Sequence, residues 1–74
     1  MGEWTTVQVR FVFDVKMTDA GEEKEKYRLL EFANRAEFQR QTEFVEPRGI
    51  IQFVTTKGVV GINLSQMLYY YEVN

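Results

Sequence analysis

Val7-Gln8-Val9-Arg10-Phe11-Val12-Phe13-Asp14-Val15-Lys16-Met17 alternates apolar and polar side chains along its whole length, and only Val12 falls out of phase. Successive side chains of a strand point to opposite faces. Period two of this kind therefore predicts a long strand, with the odd-numbered residues toward a core and Gln8, Arg10, Asp14 and Lys16 toward water.

The next stretch, Thr18 to Lys26, is polar and contains the turn residues Asp19 and Gly21. Two readings compete for residues 22–41. No residue from Ala20 to Gln41 is β-branched, and Asp19 with Glu22 forms a capping box, which fits one helix over 22–41. That helix would be poorly amphipathic, because Leu29, Phe32, Ala33 and Ala36 share a face while Tyr27 and Phe38 project from nearly the opposite side. A hairpin return explains more residues. It places Tyr27, Leu29, Leu30 and Phe32 in a second strand, followed by a short helix near residues 35–42. Asn34 caps that helix, Glu37 stands at N3, and Phe38 at N4 packs back on the strand end.

Pro47-Arg48-Gly49 breaks the chain before Ile50–Thr56, which is β-branched and apolar. Lys57-Gly58 marks a tight turn into Val59–Leu64, and Ser65-Gln66 a corner into Met67–Val73, which holds Tyr69, Tyr70 and Tyr71. Such short connections predict an antiparallel meander of these three strands. The expected fold is a single α+β domain over 1–74, a five-stranded antiparallel, curled or small barrel-like sheet with one short helix. The order is β-β-α-β-β-β, or β-α-β-β-β if residues 22–33 are helical. Sorting by face puts Tyr69 and Tyr71 in phase with Val7, Val9, Phe11 and Phe53. Val12, Ile50, Val54, Val59, Leu68 and Tyr70 remain on the other side, where either the helix or another molecule must cover them.

Composition narrows the chemistry. The chain has 74 residues, no cysteine and no histidine, so disulfides, the usual zinc sites and Ser-His-Asp or Cys-His catalysis are excluded. Its lone serine, Ser65, reads as a turn residue. Asp19, Glu22, Glu23 and Glu25 are interrupted by Lys24 and Lys26 and read as a solvated turn rather than a metal site. Gly58-Val59-Val60-Gly61 lies in a hairpin and lacks the Lys-Ser/Thr pair of a phosphate loop; Gly61 reads as a bulge or a close approach. Asn63-Leu64-Ser65 matches a glycosylation acceptor by coincidence. No catalytic residue, cofactor or metal is expected. Met1-Gly2-Glu3-Trp4 shows neither a basic nor an apolar leader, and no stretch approaches the ~20 apolar residues of a membrane span, so a cytoplasmic protein is expected.

Two binding functions fit what is left. The first is a non-catalytic binding or regulatory module that acts through a protein surface and self-associates as a homodimer, with Tyr70, Leu68, Val12 and Val54 as candidate interface residues. A terminal strand left at a sheet edge would be removed from solvent by pairing across a two-fold axis. The alternative is a small β-domain that binds single-stranded nucleic acid through Arg10, Lys16, Arg48 and Lys57, although a net charge of −2 and Asp14 among the basic residues favour an ordinary charged face. The stretch Val60–Tyr70 resembles, in its strand-corner-strand rhythm, the last hairpin of various small bacterial β-domains, some of them DNA-binding regulators. Unrelated folds share that rhythm, so it implies no function.

Overall fold

The computed structural model describes residues 5–43 and 49–73. Strand β1 (Val7–Met17) returns as β2 (Glu23–Phe32) through a turn in which Thr18 N–H donates to the Glu22 carbonyl at 2.8 Å and Gly21 N–H to the Thr18 carbonyl at 2.9 Å. Gly21 takes φ 82°, which side chains with a Cβ rarely adopt. Residues 23–32 are thus strand, and the single long helix is set aside. Helix α1 (Arg35–Glu43) begins where the cap predicts: Asn34 Oδ1 accepts the Glu37 N–H at 2.8 Å, and the Asn34 carbonyl accepts that of Phe38 at 3.1 Å. Phe38 turns back onto Phe32, with ring centroids 5.2 Å apart.

Strands β3 (Ile50–Thr55) and β4 (Gly58–Asn63) form a second hairpin. Asn63 then caps a 3₁₀ turn (Leu64–Gln66) by accepting the Ser65 N–H at 3.0 Å, and Ser65 Oγ accepts the Gly49 N–H at 2.7 Å. The lone serine and the Asn-x-Ser triplet therefore have conformational work at a corner. Gly61 lies in an unbroken ladder opposite Gln52, and a Cβ there would meet Ile50 Cγ2 at an ordinary 3.5 Å. Neither a bulge nor a close approach accounts for it.

The five strands are all antiparallel but divide into two sheets, β2-β1-β5 and β3-β4, and among the described residues they do not close into a barrel. Here the expected meander is corrected. β5 (Tyr69–Val73) leaves β4 and pairs with β1, from Gln8↔Val73 to Val12↔Tyr69. The 3₁₀ corner carries the chain from one sheet to the other, which a plain hairpin turn would not do. Between the sheets lies one core of Val7, Val9, Phe11, Leu30, Phe32, Phe53, Ile62 and Leu64. Phe53 joins the halves, with its ring 5.3 Å from Phe11 and 5.9 Å from Phe32.

A register shift between Val12 and Asp14 breaks the phase of β1. β2 runs on without interruption, so Lys24, Lys26, Arg28, Leu30 and Phe32 share one face. Their partners before the shift are Phe11, Val9 and Val7; beyond it they are Asp14 and Lys16. Phe13 is the extra residue and packs against the core. The odd-numbered phase expected through Met17 thus ends at the bulge: Val15 and Met17 move to the outer face with Glu25 and Glu23, and Met17 is 65% exposed.

Candidate functional site

The pairing Phe11↔Tyr70 decides the faces of the tyrosine run. Directly opposed residues share a face, so Tyr70 joins the core side, and Tyr71 and Tyr69, opposite Arg10 and Val12, go to the outer side. This reverses the expected phase. Tyr70 lies 5.5 Å from the Phe11 ring and meets the Phe38 ring edge-on at 6.0 Å, so α1 covers part of it; 43% remains exposed. The run could not reveal this, because strand phase depends on the register against β1.

On the outer face the side chains form a connected network. The Tyr69 and Tyr71 hydroxyls each donate to the Glu25 carboxylate at 2.6 Å, and their rings stack at 6.0 Å. Arg10 donates to the Tyr71 hydroxyl at 3.1 Å, stands 3.6 Å from Glu25, and lays its guanidinium 4.5 Å from the Tyr27 ring centre. The hydrogen bond from Tyr69, then that from Tyr71, hold the Glu25 carboxyl below its usual range. The same carboxylate pushes the Tyr69 hydroxyl up to about 12. Its bond to Tyr71 raises the Arg10 guanidinium further. Held by two hydroxyl donors, the Glu25 carboxylate is a weaker base than a free one and the Tyr69 hydroxyl a weaker acid, and the network fixes an aromatic surface on this face.

The four candidate interface residues do not converge. Leu68 and Tyr70 stand two residues apart, one just before and one within β5, and Leu68 is 60% exposed. Val12 is fully buried, between its cross-strand neighbours Tyr27 and Tyr69. Val54 belongs to the other sheet, where Gln41 of α1 clamps its backbone, accepting the N–H at 2.7 Å and donating to the carbonyl at 2.8 Å. The candidate nucleic-acid contacts are scattered too. Arg10 is in the tyrosine network, Lys16 reaches Asp14 at 3.8 Å near the far end of the first hairpin, and Lys57 is in the β3–β4 turn. Lys57 lies near Glu31, the partner of Gln8; from Gln8 to Lys16 is roughly 26 Å of strand. Arg48 lies outside the described residues.

In the sequence Lys24 and Lys26 read only as interruptions of the acidic run with Glu23 and Glu25, and Arg28 as one more basic residue available to a nucleic-acid strand, with nothing joining the three on one face. The available signal was parity: once 23–32 is a strand, its even positions run Lys24, Lys26, Arg28, Leu30 and Phe32, and Glu23, Glu25, Tyr27, Leu29 and Glu31 take the odd ones. Lys26 and Arg28 line an open groove of about 640 Å³, with Tyr27 beside them and Ile50, Gly61, Ile62 and Asn63 on the other side. Among the described residues no group of three acidic side chains could hold a metal ion, and no helix is long and apolar enough to cross a membrane. Comparison with protein-family models, curated proteins and solved structures finds no match to this chain.

Proposed function

We propose that the protein is a non-catalytic binding module that acts through protein–protein contact and self-associates along β5. The carrying observation is that β5 is an edge strand with Tyr69, Tyr70 and the adjoining Leu68 substantially exposed. An antiparallel register centred on Tyr71 sets Tyr71 against itself, Tyr69 against Val73 and Tyr70 against Glu72, so no like charges oppose one another. Arg35 of α1 pairs with Glu72, which offsets that charge beside the edge. The lack of histidine and cysteine supports a non-catalytic role.

Sedimentation at high micromolar concentration tests this reading. A dimer is expected, and Tyr70→Ser should shift it toward monomer while keeping its circular dichroism. A strict monomer would remove the proposal, and a folded Tyr70→Ser dimer would remove Tyr70 from the contact. The nucleic-acid alternative draws on Lys16 with Lys24, Lys26 and Arg28, which share a face. Titration with single-stranded oligonucleotides at low salt, the most permissive condition, decides it.

A further inference from the structure

β2 is the opposite edge of the same sheet, and its chemistry is different. The Glu31 carbonyl accepts the Thr56 N–H at 2.9 Å and so points away from β1. Antiparallel strands alternate the direction of their backbone groups, which leaves Leu29, Tyr27 and Glu25 presenting N–H and C=O outward. Lys24, Lys26 and Arg28 stand at every second position of one face, spaced roughly 6.6–6.8 Å apart. Among the described residues none of the three forms an ion pair, while Lys24 directly opposes Lys16, an arrangement that disfavours the fold.

These cations also select the partner. Antiparallel pairing of β2 with a second copy would oppose Lys26 to itself and Lys24 to Arg28, so the edge repels its own kind. A nucleic-acid strand would meet the cations but leave the outward backbone N–H and C=O groups of β2 without strand partners. Gly61, with no side chain, leaves room in the groove that Lys26 and Arg28 line. We propose that the β2 edge is a strand-addition site for an extended polypeptide that alternates acidic and apolar residues, the acids facing Lys24, Lys26 and Arg28 and the apolar residues beside Tyr27 and Leu29. The site lies across β1 from β5, so it stands or falls independently of self-association.

The probe is a short fluorescent peptide alternating glutamate and valine, titrated by anisotropy at low salt. Saturable binding is expected, at least about tenfold tighter than for the lysine–valine counterpart. Amide exchange at Tyr27 and Leu29 should slow in the complex. Lys24→Glu with Lys26→Glu should weaken binding at least about tenfold with circular dichroism unchanged. Should that variant fail to fold, the same edge is tested on the unaltered protein by N-methylating alternate bonds of the peptide, which removes its backbone donors. The proposal is overturned if the glutamate–valine peptide does not saturate, if the N-methylated peptide binds equally well, or if oligothymidylate binds more tightly and displaces it.

Discussion

The two edges of the three-stranded sheet, β5 and β2, are both hydrogen-bonded to β1 and differ in what they invite. β5 carries three tyrosines and one acid already met by Arg35, and opposes no like charges when paired with itself. β2 alternates charge between its faces, with Glu23 and Glu25 outside and Lys24, Lys26 and Arg28 on the core side. Equal strand geometry therefore yields a self-compatible edge and a self-repelling one, because side-chain parity determines which charges meet.

The largest expected effect erases the difference by removing what holds both edges in place. Phe53→Ala empties the contact joining Phe11 to Phe32, at a cost of about 3–5 kcal/mol. A domain of this size has roughly 4–11 kcal/mol in total. Urea denaturation should show a large drop in midpoint, with self-association and peptide binding lost together.

A smaller change acts on the outer network next to β5. The Glu25 carboxyl is depressed by Tyr69 and Tyr71, Glu31 by Thr56 and Gln8, and Glu37 by Arg40. Each therefore stabilises the fold above the ordinary carboxyl value of 4.5, and that contribution is lost as pH falls below 4.5 and through the depressed value. Tyr69 has the opposite sign. Raised from 10.0 to about 12, it stabilises the fold below pH 10.0 and stops doing so as pH climbs toward 12. Glu25→Gln should flatten the acid limb of stability against pH and move the last tyrosinate absorbance step downward.

The smallest effect sharpens the contrast most. Lys24→Thr removes the opposition to Lys16 and should stabilise the fold by about 0.2–1 kcal/mol while weakening binding of the acidic peptide. Stability by urea and affinity by anisotropy would then move in opposite directions. A fall in both would mean that Lys24 serves folding, not recognition.

The strands themselves were legible in local pattern: alternation in 7–17, β-branched runs in 50–64, Asn34 as a cap, and Gly58 at a turn with φ 114°. Even the bulge left a trace, since Val12 was the one apolar residue out of phase and is fully buried. The faces of the tyrosine run were not legible. They depend on Phe11↔Tyr70, a pairing between the two ends of the chain that no local period encodes. The groove was hidden for the same reason, because Lys26 and Ile62 meet there only after two hairpins have formed.

Sequence alone determined that this chain makes strands and one capped helix, and that histidine and cysteine chemistry is absent, because propensity, period and residue type are local properties. Tertiary structure alone decided that β5 crosses to β1, that Tyr70 turns inward while Tyr69 and Tyr71 turn out to Glu25, and that three lysine and arginine side chains line one open edge. Those outcomes rest on register, and a shift of one residue in pairing exchanges the two faces of a strand.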